Sequence, residues 1–449
     1  MRIEALRRHD ELRAAVVRTR AALSEIGQRY ADAIHRTAAE LDIHLKLLSA
    51  ESHFGATWAT AVITGWVPAA RADELRAIVM SASGGAGLAE LSPPDAEDVA
   101  EGRVPSVVTR SWLLAPFARL VQGYGTATYT ELEPTLLFTI SFLALFGLIF
   151  GDLGHGLCVL AIGLIVRWKA RSQTTRDVGF LAVACGLTAA VFGAFFQGAV
   201  FGYSLRHDLR FPWTLGIEPI RIVPGHTEGA AGDVVRYLLL SMGFGMLMVT
   251  IGVLLNTWNR LRARDYVGAL LDRFGMAGLV FYWSTIVLLG SLFLGGGRPH
   301  FVVPALLIGL PLLAVVFGGP IEALAAGRRP LWRDGVFLGL FEGFIEGMET
   351  VMVYTSNTFS FLRVAAFALS HAVLSFTIRT LQDLVGGLPG GWLWSALVFV
   401  IGTAAVIGLE GLIVAIQILR LEYYEFFTKF FRGEGLRYRP FSLDGDSPA

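Results

Sequence analysis

Charge is scarce in this chain. Asp, Glu, Lys and Arg make up 16% of its 449 residues, against about a quarter in an ordinary soluble domain. The shortfall lies almost wholly after residue 133. Acidic and basic residues balance at 37 each, so electrostatics imply no nucleic-acid partner. Cysteine is nearly missing: Cys158 and Cys185 both sit in apolar segments, which excludes a disulfide framework. The charged start MRIEALRRHDELR has no apolar stretch of the signal-peptide kind, so insertion into a bilayer is expected to rely on internal spans. There is no GxxxxGK(S/T) phosphate loop, no GxGxxG strand–turn–helix element and no Ser/His/Asp grouping in the front part. If ATP is involved, another chain hydrolyses it. Nothing here calls for a cofactor.

What the sequence does have is long apolar runs. From residue 134 onward they recur with lengths that suit a hydrocarbon layer of about 30 Å. Eight spans are expected, at 134–150, 154–168, 178–202, 236–256, 274–295, 301–326, 336–380 and 391–428. The last two exceed the ~20 residues of one perpendicular crossing, so they tilt strongly or extend beyond the bilayer. The front reads differently. Residues 1 to about 50 repeat apolar side chains (Leu12, Val16, Leu23, Ile26, Tyr30, Ile34) in steps of three, four and seven, which predicts one long amphipathic helix in need of a partner helix. Residues 58–67 (WATAVITGWV) read as a strand stopped by Pro68, 72–80 as a helix and 81–87 as a loop. A connection over 91–110 and an amphipathic stretch over 111–133, suited to a membrane surface, follow. The expected fold class is therefore mainly α, a polytopic transmembrane bundle. A coiled-coil and α/β domain occupies 1–130, and the membrane domain 131–449.

Basic residues set the expected orientation. Loops around 167–176, 260–273 and 328–333, together with the tail at 429–439, carry fifteen Lys and Arg. The opposite loops carry Arg206, Arg210, Arg221 and Arg298. The positive-inside rule then places both termini and the front domain in the cytoplasm, with a prokaryotic plasma membrane as the natural setting.

Ionisable residues inside spans are costly, about 2.5–3.5 kcal/mol at a helix centre on insertion scales, and here they fall in register. In the seventh span Glu342, Glu346, Glu349, Ser356, Ser360, Arg363 and Ser370 share one helical face, with Asn357 and His371 beside it. In the eighth, Thr403, Glu410, Gln417, Arg420 and Tyr424 do the same. Two helices, each with one wet face carrying an arginine, describe a polar path through hydrocarbon. A pair that merely glues two helices together needs two residues, not seven. Arg379, near the outer end, reads as a snorkelling side chain. Asp152 and His155 lie in the Gly-rich turn of GLIFGDLGHGL (147–157). Two ligands three residues apart, with no third, do not make a metal site. Asp152 is open to two readings, a helix cap or a lining residue of the ion path.

These residues carry a resemblance. The segments SNTFSFLRVAAFALSHAVLSF (356–376), GLEGLIVAIQILRLEYYEFFTKFFRGEGLRYRPF (408–441) and FGDLGHGL (150–157) resemble the a subunit, also called subunit I, of V-type and archaeal-type ATPases. ITGWVPAARADELRAIV (63–79) is similar to the end of that family's cytoplasmic domain. The likeness implies that Arg363 is the family's essential arginine, and that Glu349, His371, Glu410, Arg420 and Asp152 fall on its functional positions. Ser356, Asn357, Ser360, Gln417 and Glu346 then line the path. A polar residue found ten before the arginine in some members is Val353 here. The family usually carries a front domain some 200 residues longer, so its outgoing coiled-coil arm and distal lobe have no counterpart in this sequence.

The family's mechanism, carried over, is rotation of a c-type (proteolipid) ring against the two long helices, with peripheral-stalk and central-stalk subunits completing the machine. Arginine suits the contact because it stays protonated and its planar fork meets a carboxylate bidentately. Half-channels reaching one face each turn rotation into H⁺ or Na⁺ transport. Two other readings stay open: a secondary ion transporter acting alone, which the lack of an internal repeat disfavours, and a non-transporting scaffold.

Overall fold

The computed structural model describes residues 2–52, 54–107, 111–204, 230–293, 302–325 and 336–442. The loop residues Arg206, Arg210, Arg221, Arg298, Arg328, Arg329 and Arg333 lie outside them. Two compact units divide the chain, Met1–Pro93 with Tyr438–Ala449, and Pro94–Arg437.

In the first unit α1 (Arg2–Glu51) is a single helix of 50 residues. No proline interrupts it, and pairs such as Asp42–Lys46 at 2.8 Å tie successive turns. Its apolar stripe, Leu12 through Leu48, stays exposed, as a stripe without a facing helix must. The strand expected over 58–67 shrinks to two residues. Only β2 (Ala61–Val62) forms, pairing antiparallel with β1 (Gly55–Ala56). The Thr57 hydroxyl accepts from the amides of Ala59 and Thr60, closing a tight turn where the strand should begin, and Trp58 is 99% exposed. A two-stranded ribbon has little stability without further strands or a packed face. Helix α2 (Ala72–Ala82) follows, as its pattern predicts.

The second unit begins with α3 (Ala96–Ala100) and α4 (Ala115–Tyr124). Phe117 and Val121 on α4 are buried against α5 (Thr135–Ile149), so the amphipathic stretch packs with the apolar helices of this unit. Helices α6 (Leu153–Lys169) and α7 (Gln173–Phe192) form a tight antiparallel hairpin. Glycine makes it tight: a Cβ on Gly186 would lie 2.4 Å from the Leu160 amide nitrogen, backbone against backbone. After a π turn at Gly193–Gln197 the chain makes a hairpin of β3 (Ala199–Val200) and β4 (Tyr203–Ser204). Phe201 (φ 49°) and Gly202 (φ 77°) form its tip, the two positive φ values a type I′ turn requires.

Helices α8 (Ala230–Arg262), α9 (Tyr266–Leu271) and α10 (Met276–Phe293) follow. Next comes a broken apolar stretch, α11 (Val302–Pro304), a π turn, α12 (Leu310–Val316) and α13 (Gly318–Ala325). Helices α14 (Val336–Ser360) and α15 (Leu362–Gly386) are nearly continuous, parted at Phe361. That ring is fully buried against Gly245, where any Cβ would collide with it. The last run joins α16 (Gly391–Ala405), a π turn at Val406–Glu410, α17 (Gly411–Arg420) and a second π turn at Leu421–Phe426.

Among the described residues five helices are long and apolar enough to cross a membrane: 173–196, 234–262, 266–291, 337–386 and 391–429. Stretches 135–149 and 305–316 are apolar but shorter. The two final runs, of 50 and 39 residues, span roughly 75 and 58 Å at 1.5 Å per residue, well beyond one perpendicular crossing. A phenylalanine-rich core holds the unit together, with Phe138, Phe142, Leu145 and Ile149 of α5 packed among Val414, Ile418, Leu421 and Phe427.

Candidate functional site

Ionisable side chains converge in the interior at the point where α5, α6, the β3–β4 hairpin, α15 and the first π turn of the last helix meet. Asp152 caps α6, its carboxylate accepting from the His155 amide at 2.9 Å. It also accepts from the amides of Phe201 at 2.9 Å and Gly202 at 3.1 Å. The cap reading of Asp152 is therefore right, and the same carboxylate ties the hairpin tip to the helix start. His155 Nδ1 lies 3.2 Å from Asp152 Oδ1, at an angle that makes no hydrogen bond. His371 comes in from α15, its ring centroid 5.2 Å from that of His155 and 4.6 Å from that of Phe150. Its Nδ1 is 2.9 Å from Glu410 Oε2. All four residues are buried. The sequence found no third ligand near Asp152 and His155. The fold supplies one, since ligand atoms of Asp152, His155 and His371 lie within 4.8 Å of one another.

Arg363 sits elsewhere. Glu410, the acidic residue on the neighbouring stripe, turns to His371 instead. Arg363 feels the charges of Arg420 and Glu425, and one of its guanidinium nitrogens is buried without a hydrogen-bond partner. Gln417 is half-buried, with its amide oxygen unpartnered, and Arg420 is exposed. Glu349 is held 2.5 Å from Arg273, with Glu346 close to both. Ser356 is exposed and Asn357 half-buried. Arg379 lies over the Tyr203 ring at 4.3 Å.

The eighth-span stripe does not run true. Tyr424, placed on it by a constant period, is 66% exposed, whereas Glu422 and Glu425 are buried. The two π turns are the reason. Each adds a residue to one turn and rotates everything downstream by about 100°, so a face read at 3.6 residues per turn loses its register. Glu422, Glu425 and Lys429, all buried, were missed for this reason. Their only signal in the sequence was charge inside an apolar run.

Apolar helices of spanning length around a buried carboxylate–histidine cluster are the architecture of a multi-pass membrane protein that keeps ionisable groups inside its bundle. The chain belongs to the V-type ATPase 116kDa subunit family, whose pattern matches residues 4–184 and 340–443. It is 30% identical over 414 residues to an A-type ATP synthase subunit I of Aeropyrum pernix, covering 86% of this chain and 58% of that protein. To the subunit I of Halobacterium salinarum it is 25% identical over 519 residues, covering 98% of this chain and 69% of the relative. A vacuolar proton translocating ATPase 100 kDa subunit of Dictyostelium discoideum is 25% identical over 488 residues, with 85% and 58% covered. The chain thus spans less than two thirds of the length of the Aeropyrum and Dictyostelium relatives.

Proposed function

We propose that this chain is the membrane stator subunit of a rotary V/A-type ATPase, a non-catalytic subunit that conducts H⁺ or Na⁺ while other subunits hydrolyse or make ATP. One observation carries the reading. On the longest apolar helix the polar stripe faces out of the bundle: Glu342, Glu349, Ser356 and Ser370 are exposed and Arg363 half-buried, while Thr350, Tyr354, Thr358, Val364 and Ala368 turn inward. Carboxylates and an arginine facing lipid would be costly, so this face suits a polar partner within the membrane. A c-type ring carrying one carboxylate per subunit has the matching charge. When a protonated ring carboxylate reaches Arg363, the fixed cation favours its ionised form and the proton leaves. The same charge bars direct passage from one half-channel to the other.

On this reading eight spans place both termini in the cytoplasm. Glu346, Glu349 and Arg273 line one half-channel, and Asp152, His371 and Glu410 the other. Glu425 keeps the guanidinium in place, and Arg420 supports that carboxylate. Peripheral and central stalks join the chain to the nucleotide-binding subunits, and the exposed stripe of α1 suits a stalk helix. The test is ATP-driven ion uptake into vesicles holding complexes checked for assembly. Arg363→Ala is expected to stop uptake and leave assembly intact. Arg363→Lys is expected to lose nearly all of it, because an ammonium lacks the planar fork and can deprotonate when desolvated. Uptake near the wild-type rate in Arg363→Ala vesicles would end the rotary assignment of this helix.

A further inference from the structure

We propose that Asp152, His155 and His371 form a buried transition-metal site, of the kind two imidazoles and a carboxylate offer to Zn²⁺, with Glu410 as the carboxylate behind His371. The proposal does not depend on the rotary reading, since it concerns binding and is read by binding.

The geometry already has the parts. Ligand atoms from the three residues lie within 4.8 Å of one another. The edge of a Zn²⁺ tetrahedron with 2.0–2.1 Å bonds is about 3.3 Å. His155 Nδ1 already lies 3.2 Å from the Asp152 carboxylate, at Oδ1, and no pair of the clustered ligand atoms has more than about 1.5 Å to close. Both imidazoles have a buried nitrogen without a hydrogen-bond partner, Nδ1 of His155 and Nε2 of His371. A buried nitrogen left unpartnered costs free energy, and a cation shared by two neighbouring imidazoles would satisfy both. Asp152 spends three lone pairs on backbone amides. A carboxylate offers about four; both on Oδ1 are taken by the His155 and Phe201 amides, so the one that remains is on Oδ2.

The surroundings fit as well. His371 Nδ1 contacts Glu410 Oε2 at 2.9 Å. A hydrogen bond there fixes the tautomer with a free lone pair on Nε2, the carboxylate–histidine–metal relation that orients ligands in zinc proteins. The other oxygen of Glu410, Oε1, is buried as well, so the whole carboxylate lies out of water behind His371. Asp152 and Glu410 as carboxylates bring two negative charges into a region of low dielectric, and one divalent cation balances both. The hairpin tip packs on the cluster, the Phe201 ring 5.1 Å from that of His155.

The full chain, purified in detergent without a polyhistidine tag, is titrated with Zn²⁺, and its zinc-edge X-ray absorption is recorded. The expected result is one tight Zn²⁺ per chain with two imidazole nitrogens and carboxylate oxygen in the first coordination sphere. Co²⁺ in its place should give the intense visible absorption of a tetrahedral site. His371→Gln and His155→Gln should each weaken binding at least tenfold, and Glu410→Gln about 10- to 100-fold, while His35→Ala with His44→Ala on α1 leaves it unchanged. Zn²⁺ binding of equal strength in the His155→Gln, His371→Gln double variant, or an absorption spectrum of wild-type protein without two imidazoles, would overturn the proposal. The spectroscopy needs no variant, so misfolding of a mutant cannot shield the idea.

Discussion

Replacing Asp152 by Ala separates the two roles that the sequence leaves open for it. The carboxylate receives three backbone N–H groups, from His155, Phe201 and Gly202, inside a site where Asp152 is 1% exposed. Hydrogen bonds to a charged acceptor contribute about 1.5–3 kcal/mol each, and a buried donor left unmatched costs about 1–3 kcal/mol. The bonds share one acceptor and do not add fully. Moreover, Phe201 sits at φ 49°, a conformation costing about 1–3 kcal/mol for a side-chain-bearing residue, and it persists because Asp152 holds its amide. A loss of about 3–4 kcal/mol in the local opening free energy of the hairpin tip follows. At 1.4 kcal/mol per factor of ten, the amides of Phe201 and Gly202 should exchange roughly 100- to 1,000-fold faster. Hydrogen exchange read by mass spectrometry on peptides covering 195–204 measures this, with peptides from α8 as the unaffected reference. Asp152→Asn keeps one acceptor oxygen and should fall between. Unchanged exchange at 201–202 in Asp152→Ala would refute the argument that this carboxylate anchors the turn.

Glu410→Gln and Glu349→Gln should lower ATP-driven ion uptake without abolishing it, because water and the remaining polar groups still conduct; complete loss in either would move the essential step away from Arg363. Gly186→Val forces a Cβ to within 2.4 Å of the Leu160 amide nitrogen and should destabilise the α6–α7 hairpin by about 1–3 kcal/mol or more. Thermal unfolding in detergent reads this against Gly243→Ala, where a Cβ meets open space; equal midpoints would contradict the close packing. Single cysteines in place of Arg171 and Arg262 should react with an impermeant thiol reagent only from the cytoplasmic side of oriented vesicles, and labelling from opposite sides would break the orientation.

The sequence by itself determined much of this protein. Apolar run length marked the long helices, because a membrane-spanning helix must satisfy its backbone internally and present apolar side chains along its length. Charges in register on 342–370 marked the polar face of α14 and α15, because the two helices run on with a single-residue break at Phe361 and keep nearly one period. Gly-rich FGDLGHGL offered a capped turn as one of two readings, because Asp at an N-cap is a local interaction three residues long, and the structure shows that cap. The front strand was lost for the opposite reason. Its propensity was sound, but β-structure needs partners, and Ala61 and Val62 find only Gly55 and Ala56. Tertiary structure alone decided the rest. The π turns at 406–410 and 421–426 rotate the last helix, hide Glu422 and Glu425 and expose Tyr424, and no local signal fixes where an α-helix takes in an extra residue. The meeting of His371 with His155 and Glu410 joins three segments far apart in the chain. Sequence spacing orders side chains along one helix; only the packing of α15 against α5 and the last helix sets the distance between them.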